Sequence, residues 1–157
     1  RRKTLDRIRT PGGALVLVCD GEKALLFRNI GDAGLISLKT GDARVEPHPP
    51  TRELGTERPG RAYESVGSSR SAQEPTDLHD AAETDFLTAT VKAVEEIARA
   101  EAAKSLVVIA PPRALSVIRR EMSPRLREIV VGEIDKDLTN FPTPEIEKHL
   151  TEAGKLR

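Results

Sequence analysis

Two stretches of this chain are apolar at every successive position, and they organise the rest of the reading. Leu15-Val16-Leu17-Val18 and Leu106-Val107-Val108-Ile109-Ala110 show no alternation of apolar and polar residues, the mark of strands covered on both faces. They are predicted to lie side by side at the centre of one sheet. The first belongs to a strand over Ala14 to Cys19, followed by strand-like segments over Lys23 to Asn29 and Leu35 to Thr40. Asp20-Gly21 separates the first two; Gly takes the positive φ of a tight turn and Asp tolerates it, so a hairpin is expected. Gly31 to Gly34 serves the second connection in the same way. The three strands are predicted to form an antiparallel meander.

Helical spacing takes over after residue 76. A long helix is expected to start near Thr76 or Asp77, either of which can cap the amides of the first turn. Ala82, Phe86, Ala89, Ala93 and Ile97 recur at intervals of three and four and are read as its buried stripe. Glu83, Lys92, Glu95, Glu96 and Arg99 are read as its outer side. Pro111-Pro112 ends the strand Leu106 to Ala110. The helix from about Arg113 to Met122 turns Leu115, Ile118 and Met122 inward and Arg119 and Arg120 outward. A strand over Ile129 to Ile134 then completes a right-handed βαβ crossover. A last helix is expected from Thr143, with Pro144 in its first turn and Glu145 and Glu147 near the positive end of its dipole. The order βββαβαβα makes this an α/β protein: a mixed five-stranded sheet with helices on its faces, in a single domain over residues 1–157.

Composition narrows the function classes. The 157 residues carry 25 basic and 25 acidic side chains, for a net charge of zero. No whole-molecule field recruits nucleic acid or anionic membrane, so any such contact is local. Only Phe27, Tyr63, Phe86 and Phe141 are aromatic, too few for stacking platforms along a single strand. The lone Cys19 ends an apolar run and is expected to be a buried thiol in a reducing cytoplasm. No apolar run approaches the roughly 18 residues of a membrane span. Arg1-Arg2-Lys3 leads into a polar segment instead of a signal-peptide core, and the first residue is not Met, which leaves a removed leader or trimming open. Residues 47–76 hold five Pro, three Gly and several Arg and Ser. So long a connection is expected to be a mobile loop, with or without a task of its own.

Strong catalytic signatures are missing from the sequence: no Gly-x-Ser-x-Gly elbow, P-loop or dinucleotide fingerprint appears, and no cofactor is expected. Asp20, Asp135 and Asp137 stand at strand ends on the carboxyl edge of the sheet, where a two-metal nuclease holds its carboxylates. Asp20 is equally a turn residue, and Asp137 equally a cap for local amides. His48, His79 and His149 are far apart and read as solvated imidazoles. Arg113 follows a central strand and opens a helix, a place where α/β sheets bind anions. The alternative is that it pairs with a carboxylate such as Asp20 or Asp135.

Ala14 to Phe27, Arg52-Glu53-Leu54, Arg58-Pro59-Gly60-Arg61, Ile109 to Leu115 and Glu133 to Thr139 resemble, in order, the bacterial host-attachment protein family. That family is in turn similar to the central domain of the archaeo-eukaryotic class 1 release factors. The resemblance implies a ribonuclease H-like topology: a three-stranded meander, a long loop and a long helix. In release factors the loop ends in a Gly-Gly-Gln tip that promotes peptidyl-tRNA hydrolysis. Here the equivalent loop reads Val66-Gly67-Ser68-Ser69, and Gly12-Gly13 is followed by Ala14. The hydrolytic role therefore does not carry over. What the resemblance implies is a loop reaching an RNA-rich site, with Arg52, Arg58, Arg61 and Arg70 on phosphates and Glu53, Glu57, Glu64 and Glu74 nearly cancelling their charge.

The expected function is a non-catalytic RNA- or ribosome-associated binding module, its partner the ribosome or structured RNA and no membrane. An attachment-related module acting through protein partners is the second reading, and a metal-dependent hydrolase or nuclease the third.

Overall fold

The computed structural model describes residues 8–40 and 75–155. Strand β1 (Leu15–Cys19) turns through Asp20 into β2 (Ala24–Asn29), and β3 (Leu38–Thr40) completes the meander. Helix α1 (Pro75–Ala100) leads to β4 (Leu106–Ala110), α2 (Pro112–Glu121), the short α3 (Pro124–Ile129), β5 (Val130–Asp135) and α4 (Thr143–Lys155). The expected loop over 47–76 lies outside the described residues except for its last two, which α1 takes.

The strand order is β3-β2-β1-β4-β5, compatible with a ribonuclease H-like arrangement. β2 runs antiparallel to β1 and β3, while β1, β4 and β5 pair in parallel. Leu15 to Val18 stand opposite Leu106 to Ile109, so the two unbroken apolar runs are neighbours at the centre, as expected. Alternation along each strand divides them between two cores. Leu15, Leu17, Leu106 and Val108 pack under α1, α2 and α3, and Val16, Val18, Val107 and Ile109 pack against α4. Both cores use side chains from one strand, which is why neither run contains a polar residue.

Three expectations are corrected. The buried stripe of α1 is centred on Leu87, Val91, Val94 and Ala98 with Phe86; of the other expected residues Ala93 and Ile97 pack half-buried against the same core, and Ala82 is exposed. The helix is rotated from the expected face because this stripe carries the larger branched side chains and so more apolar area. The third strand begins at Leu38, not Leu35, because side chains seize the preceding backbone. Asp32 Oδ1 accepts from Gly34 N and Leu35 N, and Asn29 Oδ1 accepts from Ser37 N, leaving Leu35 75% exposed. Finally, Gly21 does not adopt the positive φ expected of it; among the described glycines Gly13 does, at 86°. The value of Gly21 is space, since a Cβ there would fall 2.6 Å from Glu83 Cδ on α1.

Candidate functional site

Strands β1, β4 and β5 all end at one edge of the sheet, where parallel strands of an open α/β sheet leave a crevice for ligands. Asp20 leaves β1 there. Its Oδ1 accepts hydrogen bonds from Glu22 N and Lys23 N, both at 2.8 Å, closing the turn into β2. Its Oδ2 lies 3.0 Å from the Thr139 hydroxyl, which is also 2.9 Å from Asp137 Oδ1. Thr139 N donates to the same Asp137 oxygen at 3.2 Å. Two carboxylates that sequence placed far apart thus meet over one buried threonine. A hydroxyl has one proton to give, so Thr139 shares it between them. Lys23 Nζ donates to Asn140 Oδ1 at 2.9 Å, a second tie between the hairpin and the segment after β5.

The third carboxylate does not join them. Asp135 follows Ile134, which faces α4, so by alternation it shares the opposite face with Glu133. There the hydrogen bond and charge of Glu133, and last the charge of Asp135, hold the Arg119 guanidinium above its ordinary pKa against partial burial. Of the three carboxylates offered as an alternative metal set, Asp20 and Asp137 therefore meet and Asp135 does not, and the pair is engaged in local hydrogen bonds. Among the described residues, no group of three or more His, Cys, Asp or Glu side chains is placed to hold a metal ion. Beneath the pair, Cys19 is fully buried. Burial, then the charges of Asp20 and Asp137, pushes its thiol up to about 12, so it stays a neutral core side chain.

Arg113 is placed at the start of α2, as expected, but its partners are neither Asp20 nor Asp135. It forms an ion pair with Asp80 of α1, and Glu83 lies 4.0 Å away. The hydrogen bond and charge of Asp80, followed by the charge of Glu83, raise its pKa. The first turn of α2 contains Pro112, which has no N–H to offer an anion, and no side chain caps it. Arg113 is thus a clasp between α1 and α2 more than an anion receptor. Arg52, Arg58, Arg61 and Arg70 lie outside the described residues, as does His48; His149 meets Phe141 edge to face at 5.9 Å.

A feature absent from the sequence reading lies between α2, α3 and β5. An open groove of about 590 Å³ is lined by Ser116, Arg119, Arg120, Met122, Arg127, Val130 and Glu133. The chain makes this corner through Ser123-Pro124. The Ser123 hydroxyl accepts from Leu126 N at 3.1 Å as the cap of α3, and Ser123 N donates to Glu95 Oε2 at 2.9 Å. The signal was present as Arg119-Arg120 and Arg125-x-Arg127 on either side of a Ser-Pro helix start, but the short helix that folds the two pairs back on each other was not predicted.

The sequence pattern of bacterial archaeo-eukaryotic release factor family 12 matches residues 13–150, a span that takes in all five strands. An uncharacterized protein of Rickettsia prowazekii is 30% identical over 142 residues, 85% of this chain and 89% of the relative.

Proposed function

The chain belongs to bacterial archaeo-eukaryotic release factor family 12, and from that premise we propose that it is a non-catalytic, RNA- or ribosome-associated binding module working as one domain in the cytoplasm. The observation that carries the reading is the family match across the whole sheet. The kinship with host-attachment proteins, and through them with the central domain of class 1 release factors, belongs to the same proposal. The non-catalytic part rests on the chain's own residues. It has no Gly-Gly-Gln sequence, and its one Gly-Gly pair has a structural task. Gly13 takes a positive φ and donates its N–H to Asn29 O at 2.7 Å. A Cβ on Gly12 would fall 2.7 Å from Gly31 O. The carboxylates at the sheet edge, Asp20 and Asp137, hold turns together and share the Thr139 hydroxyl, which gives them a local structural task.

The reading is tested by pelleting the purified chain with bacterial ribosomes through a sucrose cushion at low and moderate salt. Association at low salt that weakens at moderate salt is the expected result, with no release of peptide from peptidyl-tRNA. Absence from the pellet at low salt would overturn ribosome association in favour of a protein-partner role, and peptide release would overturn the non-catalytic reading.

A further inference from the structure

We propose that the groove between α2, α3 and β5 is a phosphate-backbone contact surface for structured RNA, built on Arg119, Arg120 and Arg127. The proposal rests on the RNA-binding reading above and assigns it to a place in the fold.

Three of the seven lining residues are arginines, and the one carboxylate among them is Glu133. Glu133 and Asp135 act on Arg119 and Glu121 on Arg120, while Arg127 is held by a backbone carbonyl and is the guanidinium left without a carboxylate partner among the described residues here. The basic residues of this stretch are all arginine: residues 112–128 carry five Arg and no Lys. That choice of residue matters, because the planar guanidinium matches two phosphate oxygens at once while an ammonium acts as a point charge.

The arginines are also held in place. Glu133 Oε1 accepts from Arg119 Nε at 2.8 Å and lies 2.6 Å from its Nη2, fixing one edge of the guanidinium. Arg127 Nη2 donates to Arg119 O at 2.8 Å, in the last turn of α2, where backbone carbonyls gather partial negative charge. A carbonyl orients a guanidinium without neutralising it, so Arg127 keeps its full charge. Arg120 is 59% exposed and its contact is with the adjacent Glu121, at 3.3 Å. Because a pre-oriented side chain loses less rotamer freedom on binding, more of each contact appears as affinity. The groove is open, and guanidiniums set along it match paired phosphate oxygens; a phosphodiester backbone recognised by charge and shape fits it best.

The test measures binding of the full-length protein to a fluorescently labelled RNA hairpin by anisotropy, over a range of salt. The variants are Arg119→Gln/Arg120→Gln/Arg127→Gln, the single Arg120→Gln, and Arg58→Ser/Arg61→Ser/Arg70→Ser. The triple groove variant is expected to bind at least about tenfold more weakly at low salt, with the slope of log affinity against log salt reduced by roughly two to three, about one per lost phosphate contact. Arg120→Gln removes one exposed charge without touching the core. It should keep the melting temperature and lower both affinity and slope by roughly a third of the triple effect. Wild-type binding with full affinity in both groove variants would overturn the groove assignment while leaving RNA binding standing, and loss confined to the Arg58/Arg61/Arg70 variant would place the contact elsewhere in the same way. Wild-type protein that binds neither the hairpin nor ribosomes would overturn the functional reading itself. Loss of binding to poly-glutamate but not to RNA in the groove variants would mean an acidic protein partner, also against the proposal.

Discussion

Asn29 is the residue on which the turn between β2 and β3 depends. It is fully buried, and its Nδ2 donates to Thr10 O, Pro11 O and Asp32 O while its Oδ1 accepts from Gly31 N and Ser37 N. Asn29→Ala removes all five contacts and strands two amides and several carbonyls, each of which costs about 1–3 kcal/mol when buried without a partner. We expect a loss of about 3 kcal/mol in urea unfolding, and an unchanged midpoint would contradict the network. Cys19 gives a second residue-scale prediction. Its folded pKa of about 12 lies above the ordinary 9.0, so the fold favours the neutral thiol. That contribution is complete below about pH 9 and is lost as the pH rises towards 12. The stability of wild type relative to Cys19→Ala should fall across that window, and the native thiol should resist labelling at neutral pH. Labelling of the native protein as fast as of the unfolded chain would show the thiol to be exposed. Cys19 was legible because an apolar run announces burial. Asn29 was not, because nothing in the local sequence separates an asparagine that caps a turn in water from one that ties together four backbone segments.

At the scale of elements, the strands were legible and the helix faces only in part. A continuous apolar run has one explanation, whereas α1 offers two overlapping stripes, and tertiary packing chose the one through Leu87, Val91, Val94 and Ala98. The short α3 escaped notice because six residues carry too little periodicity. Its cues, Ser123 as cap and Pro124 in the first turn, are local chemistry rather than pattern. Two substitutions test the assignments. Val108 is completely buried on the central β4, so Val108→Asp adds an unpaired carboxylate costing several kcal/mol, comparable with a whole domain's stability of roughly 5–15 kcal/mol. The variant should not fold, and a soluble form with wild-type melting would contradict the strand order. Ser123→Ala removes one capping bond and should cost about 1 kcal/mol. It loosens the corner that brings Arg127 towards Arg119, so RNA affinity should fall with it.

The whole molecule is a five-stranded sheet with α1, α2 and α3 on one face and α4 on the other, and no described helix is long and apolar enough to cross a membrane. Zero net charge means that attraction to RNA cannot come from the global field, so it depends on where arginines are gathered. The sequence pointed to the loop arginines and to Arg113. Arg113 is paired with Asp80, the loop arginines lie outside the described residues, and three further arginines line the α2–α3 corner. Clusters of this kind are hard to read in advance because they are made by a change of chain direction and not by spacing. The most direct test of the account is the salt dependence of the intact protein's affinity for purified bacterial ribosomes. We predict binding at low salt whose logarithm falls linearly with the logarithm of salt concentration, with a slope of at least about −2, as phosphate contacts release counterions. Binding that does not change with salt, or none at the lowest salt, would contradict the claim that this protein works by holding RNA.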